Sequence, residues 1–234
     1  MKRPIVLTIL LAALVLSSGF SYGQDVKESR NVSDFTRINF GVAGDLFIQI
    51  GPKFEVTVEG SRNYVDEVIT EVSGERLTIK HENNFRLRMN ERVTVYVTMP
   101  EIEGLGVSGS GKAEIKDVIK SDDLNLSVSG SGRIVITGME VANLDCGISG
   151  SGTINLDGNG NIGKAEISIS GSGDYYGEEV EIEDLTVGVS GSGKCICNVT
   201  ESLSASISGS GDVSYSGSPK VNARVSGSGH VRSR

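Results

Sequence analysis

Tryptophan is missing altogether, and 234 residues hold only six tyrosines and six phenylalanines. A protein that grips sugars by stacking has little aromatic surface to use here. Cysteine is scarcer still: Cys146, Cys195 and Cys197 are an odd and small set, which argues against a disulfide framework. The two histidines, His81 and His230, are isolated, with no cysteine or second histidine near them to build a ligand cluster, so no metal is expected. Positive charge is outweighed, 22 Lys and Arg against 30 Asp and Glu, for a net charge of −8. Nucleic acid and anionic membrane surfaces both demand basic patches, so neither is an expected partner. Long hydrophobic runs are absent too. The one apolar stretch, residues 5–16, falls short of the roughly 20 residues that span a bilayer.

That stretch has another reading. Lys2 and Arg3 precede it, and small or polar residues 17–23 follow it. A basic start, a short apolar core and small residues before a cut form the layout of a secretory signal peptide. Cleavage is expected after Gly23, which makes Gln24 the first mature residue and takes the net charge from −8 to −10 by removing Lys2 and Arg3. No cysteine follows the apolar run, so the exported product is not expected to be a lipoprotein. It is placed in the periplasm or at the cell surface, with no membrane span after cleavage.

What is abundant is Ser-Gly-Ser-Gly. The tetrapeptide begins at Ser108, Ser129, Ser149, Ser170, Ser190, Ser208 and Ser226, at intervals of 21, 20, 21, 20, 18 and 18 residues. A fixed period near twenty marks a stacked-repeat architecture, in which each unit buries its apolar face only against its neighbours. One, three and five residues before the first serine stand Val128, Leu126 and Leu124 in one copy and Ile207, Ala205 and Leu203 in another. Alternation of this kind gives a strand with one apolar face. It resumes after the corner with Ile134 and Ile136, Ile154 and Leu156, or Val213 and Tyr215. Each repeat therefore reads as strand, glycine corner, strand and polar return. The fold expected is all-β: a single-stranded, right-handed parallel β-helix, or solenoid, with coils of about 20 residues. Stacked at about 4.8 Å per strand, the seven coils span about 29 Å.

The first half is less regular. Residues 38–50 read strand, corner and strand, with Gly41 and Gly44 at the bend. The 67 residues from Gly41 to Ser108 are close to three further coils. Residues 54–59, 76–80 and 92–98 alternate like strands, and residues 63–72 are expected to cap the stack as a short helix or turn. The organisation is then a leader at 1–23, a flexible segment at 24–33 and one β-helix domain over 34–234. Its residues 34–104 form irregular capping coils and 105–234 the seven repeats.

Four stretches carry a family likeness: Phe35-Thr36-Arg37-Ile38, Leu77-Thr78-Ile79-Lys80, Val95-Tyr96-Val97-Thr98-Met99-Pro100, and the serine–glycine ladder. Together they resemble the bacterial GIN-domain family of autotransporter-adhesin heads. The resemblance implies a right-handed parallel β-helix at the cell surface or in the periplasm. It brings no catalytic residues. With Arg234 five residues beyond the last corner, no membrane-translocating barrel is expected in this chain.

Several local motifs are by-products of the repeat. Residues 106–113 and 188–195 nearly spell a phosphate-binding loop, but Ala113 and Cys195 stand where a magnesium-binding hydroxyl belongs, and a strand follows instead of a helix. Gly-Ser-Gly-Asp at 171–174 and 209–212 lacks the nine-residue period of calcium-binding rolls. The acidic stretch with Glu178, Glu179, Glu181, Glu183 and Asp184 reads first as a solvated loop and second as a calcium site. The three cysteines all point inward. Cys146 is two coils from the other pair, about 10 Å by strand spacing and too far for a disulfide.

No nucleophile–base pair can be placed, so no catalytic, cofactor or metal residues are assigned. The leading functional reading is an exported, non-catalytic module that binds a protein or glycan of the cell envelope. Its face is sought among outward positions after the corner, where Val135, Tyr176 and Ile196 interrupt polar neighbours. A second reading is a polysaccharide-processing enzyme, for which Asp174 and Asp212, two coils apart in one column, are the regular carboxylate pair. A third is a structural unit that forms homo-oligomers through the open ends of the β-helix.

Overall fold

The computed structural model describes residues 25–82 and 92–234; the leader expected at 1–23 lies outside them. The fold is all-β, and the described residues form 19 strands hydrogen-bonded into one continuous sheet that winds as a solenoid. Its irregular first part comprises β1 (Asp25–Arg30), β2 (Arg37–Phe40), β3 (Gly44–Ile50), β4 (Glu55–Ser61), α1 (Arg62–Val65), β5 (Val68–Ser73), β6 (Arg76–His81) and β7 (Val93–Met99). The repeats follow as β8 (Gly104–Gly109), β9 (Lys112–Ile115), β10 (Ile119–Gly130), β11 (Arg133–Ile136), β12 (Met139–Gly150), β13 (Thr153–Leu156) and β14 (Gly160–Gly171). The stack is completed by β15 (Asp174–Gly191), β16 (Lys194–Gly209), β17 (Asp212–Ser216), β18 (Lys220–Gly227) and β19 (His230–Ser233).

The repeats stack in parallel and in register. Val107 lies beside Val128, then Ile148, Ile169, Val189, Ile207 and Val225, and each first serine lies beside the next. Inward columns of this kind build the apolar core: Leu126, Cys146, Ile167 and Val187 are all buried. The corners are bonded as well. The Ser131, Ser151 and Ser172 backbone N–H groups each donate to the first corner glycine of the preceding coil at 2.8 Å. The drop in period from 20 to 18 residues is absorbed by register shifts between Gly177 and Glu181 and between Ile182 and Asp184.

The two corner glycines serve different ends. The first bends the strand with positive φ, from 87° at Gly109 to 129° at Gly227, a region that a Cβ disfavours. The second sits against an apolar side chain of the preceding coil. A Cβ on Gly152 would lie 2.3 Å from Val128 Cγ1, and one on Gly173 would lie 2.3 Å from Ile148 Cγ2.

The first half departs from the sequence-based expectation in its order. Residues 37–50 do not begin a run of three further coils. β2 pairs with both β6 and β8, and β3 with both β7 and β9, so this segment stacks directly on the first repeat. Among the described residues only β6 and β7 add another coil beyond it. The remainder folds back antiparallel: β4 on β7, β1 on β4 and β5 on β6. Residue counting could not separate a coil from a hairpin of the same length. The segment 24–33, expected to be flexible, holds β1, which makes six antiparallel pairs with β4. Its ordering follows from the open edge of β4 and from Arg30, whose Nη2 donates to the Val65 carbonyl at 2.9 Å. Of residues 63–72, expected to form a short helix or turn, only the start is helical: α1 ends at Val65, with Tyr64 and Val65 buried, and residues 68–72 belong to strand β5, which pairs with β6.

At the other end nothing among the described residues covers the stack. All eight residues of β18 are exposed, including Val221 and Val225, which continue inward columns.

Candidate functional site

The outward positions after the corner form one column that runs the length of the molecule. Strand pairing sets Thr57 beside Tyr96, Tyr96 beside Phe47, and Phe47 beside Glu114. From there the column continues through Val135, Asn155, Tyr176, Ile196, Ser214 and Arg232. The three residues singled out from sequence all lie in it. Tyr176 and Ile196 are neighbours, while Asn155 separates Tyr176 from Val135. All three are half-buried, because side chains stacked about 4.8 Å apart shield one another.

Sequence reading missed the exposed aromatic members, Phe47 and Tyr96. They are 36% and 40% exposed, the two exposed aromatics among the described residues. Their rings stack with centroids 5.7 Å apart and planes 22° apart, and Lys27 Nζ lies 4.7 Å from the Tyr96 centroid. The available signal was the alternation itself, which turns Phe47 outward between Leu46 and Ile48, and Tyr96 outward between Val95 and Val97. Chain order hid that the two belong to the same column as Tyr176.

Polar members are held by their neighbours. Glu114 accepts from Lys112 Nζ at 2.7 Å and meets Lys116 at 3.2 Å. The Lys112 hydrogen bond lowers its carboxyl pKa below the usual range, outweighing the opposing effect of burial. The Tyr176 hydroxyl donates to Asp174 at 3.3 Å. Burial and then the Asp174 charge push that phenol above its ordinary value. Asn155 Oδ1 is buried without a hydrogen-bond partner.

The flanking column carries Asp45, Lys112, Arg133, Thr153, Asp174, Lys194, Asp212 and His230 in that order. Asp174 and Asp212 thus share a column as expected, but Lys194 stands between them. Each carboxylate accepts a backbone N–H of the next coil, from Lys194 and His230 respectively, both at 3.1 Å. That is an arrangement of ladder bonds and alternating charge, not of an acid and a nucleophile facing each other across a groove.

The cysteines are all free and buried. Burial pushes the Cys146 thiol far above its ordinary pKa, and Cys197 Sγ contacts the Ser214 carbonyl at 3.7 Å. No group of three or more His, Cys, Asp or Glu among the described residues is arranged to hold a metal ion. In the acidic stretch, Glu178 pairs with Arg234 and Asp184 accepts from Ser202. An open groove of about 820 Å³ lies where the repeats begin, with Glu103, Asp122, Asp123 and Glu140 in its wall. Glu140 is paired with Lys120 at 2.9 Å.

Solved structures with this fold span nearly the whole chain. A "putative adhesin" from Bacteroides fragilis superposes with a TM-score of 0.83 at 21% identity, covering 90% of this chain and 97% of that one. "Putative adhesin" structures from Parabacteroides distasonis and Parabacteroides merdae give TM-scores of 0.73 and 0.71 at 23% and 22% identity. Each covers 91% of this chain, and 98% and 97% of its own. At these identities the likeness is one of fold. No curated protein matches the chain. The sequence model of one family does match, over residues 34–219, and the chain accordingly belongs to the family described as "Putative auto-transporter adhesin, head GIN domain".

Proposed function

We propose that this protein is an exported, non-catalytic binding module of the cell envelope, and that the column from Tyr96 to Ile196 is its recognition face. The observation that carries the reading is the alignment of Phe47 and Tyr96, the two exposed aromatics among the described residues, with Val135, Tyr176 and Ile196. Adjacent exposed aromatics are a common mark of interaction surfaces, and aromatic anchors dominate the energetics of most recognition surfaces. Parallel stacking keeps the column straight and its spacing fixed, which suits an extended ligand. The partner is a protein or glycan of the envelope, met in the periplasm or at the cell surface after a leader is removed at Gly23 without attachment of lipid.

The test is saturable binding of the processed protein to intact cells, purified glycans and envelope extracts. Phe47→Ala, Tyr96→Ala and Tyr176→Ala should each weaken binding about tenfold, the usual consequence of truncating an aromatic anchor. Binding that survives all three substitutions places the ligand on another face. The absence of saturable binding to any of the three preparations overturns the recognition role.

A further inference from the structure

The outward face before the corner carries far less side chain than the column after it. There β8 turns two glycines outward, Gly104 and Gly106, between strands that bear side chains. Gly104 stands between Arg37 of β2 and Asn125 of β10, and Gly106 between Asn39 and Ser127. The result is a furrow one strand wide, with wall strands about 10 Å apart, two strand spacings. Two adjoining hollows of about 410 and 370 Å³ occupy it. The first lies by Arg37 and Arg76, and the second runs past Thr78 and Lys80 to Ser108 and Ser129.

Charge of one sign gathers there. Arg37, Arg76 and Lys80 line the two hollows and no described Asp or Glu does, in a chain whose net charge is −8. Strand pairing sets Arg37 directly beside Arg76, a like-charge arrangement that costs a sheet stability. Glu103 meets Arg37 and Glu71 meets Lys80, each at 3.5 Å. Arg76 has no ion-pair partner among the described residues. Beyond Asn125 the surface turns acidic, with Asp123, Asp145 and Glu166 against Lys164, so an anion is favoured only at the Arg76 end. Polar groups converge beside the arginines. A Cβ on Gly106 would lie 2.7 Å from Asn39 Oδ1 and 3.0 Å from Ser127 Oγ. Gly147 and Gly188, at the same register position in later coils, have nothing within 4 Å of theirs.

We propose that this furrow binds an acidic saccharide, the carboxylate of a sugar unit held by Arg76 and Arg37 and its hydroxyls by Asn39 and Ser127 over Gly106. Neighbouring arginines offer the forked, charge-assisted hydrogen bonds that a carboxylate favours. Short amide and hydroxyl side chains both donate and accept, as sugar hydroxyls require. An acidic polypeptide fits less well. β8 is already paired on both sides, so no strand can add to it. Ile38, Leu105 and Val107 are buried beneath the furrow, which leaves no apolar anchor in its walls. The furrow lies before the corner and the aromatic column after it, so the two are separate surfaces.

The experiment is titration calorimetry of the protein, purified as its cells process it, with a disaccharide carrying one glucuronate. The neutral glucose counterpart and a short polyglutamate peptide are titrated alongside. The acidic disaccharide should bind saturably, at least about tenfold more tightly than the neutral one, and more weakly at high salt. Arg76→Gln should weaken it at least about tenfold by removing the cation, and Gly106→Ser as much by filling the hollow, both with circular dichroism unchanged. Serine already holds that register position at Ser127, so the fold accepts the second change. Gly147→Ser should bind as the parent does. No saturable binding, equal affinity for the neutral disaccharide, or affinity retained in both Arg76→Gln and Gly106→Ser would each overturn the proposal. So would tighter binding of the polyglutamate peptide. Loss of envelope binding in the aromatic variants bears only on the column, so the two readings fail separately.

Discussion

Each corner glycine solves one of two steric problems, and alanine substitution separates them. In Gly150→Ala the residue would hold a φ of 110° with its Cβ 2.6 Å from the Gly130 carbonyl oxygen. In Gly152→Ala the new methyl would lie 2.3 Å from Val128 Cγ1 and 2.8 Å from the Gly132 carbonyl. Both should cost about 1–3 kcal/mol, the usual penalty for overpacking or backbone strain. Gly147 has open space around its Cβ position, so Gly147→Ala should stay within about 0.5 kcal/mol of the parent. Urea denaturation of the three variants measures the contrast, and equal losses at all three would remove the steric account of the repeat. A second residue-scale prediction concerns His81, whose ring packs edge-on against Tyr64 at 4.8 Å. Burial lowers its pKa, with the Glu67 charge partly opposing. The folded state therefore resists a proton that the unfolded state accepts. The His81 contribution to stability is complete above the ordinary histidine pKa of about 6.5 and is lost as pH falls through the folded value. Denaturation midpoints should fall over that window in the parent and fall less in His81→Phe.

At the scale of the element, the repeats were legible because each register position carries the same demand. Three inward columns before the corner, a glycine at positive φ, a glycine under a branched side chain and an inward pair after the corner recur with little change. Strand type, facing and coil length all follow from that constancy. The first half was legible only as strands, because no comparable demand repeats there. Residues 55–61 and 93–99 alternate equally well, yet β4 runs antiparallel and β7 parallel, a difference that alternation does not encode. β1 shows the same limit. Asp25-Val26-Lys27-Glu28-Ser29-Arg30 is polar enough to read as a flexible lead-in, and becomes a strand because β4 offers it an unpaired edge and Val65 offers Arg30 a carbonyl. The candidate face was half legible for this reason. Val135, Tyr176 and Ile196 fall out of the repeat, whereas Phe47 and Tyr96 join their column only through pairings that sequence order conceals.

At the scale of the molecule, a quasi-one-dimensional stack should tolerate removal of a whole period and reject removal of half of one. Deleting residues 149–169 joins Ile148 to Ser170. Since Ile148 and Ile169 occupy equivalent register positions, the corner and every inward column are restored across the join. The shortened protein should fold with a β-type circular dichroism spectrum and a cooperative melt, less stable than the parent because one coil's burial is gone. Deleting residues 149–158 removes about half a period, destroys a corner and leaves β14 without the turn that delivers it to its place. That variant should aggregate or remain unfolded. The whole-period deletion also tests the face, because it removes Asn155 and brings Val135 directly beside Tyr176. If an extended ligand reads the column by its spacing, this fully folded variant should bind more weakly even though Phe47, Tyr96, Val135, Tyr176 and Ile196 are all retained. Unchanged affinity would confine recognition to one end of the column, where the aromatic pair stands.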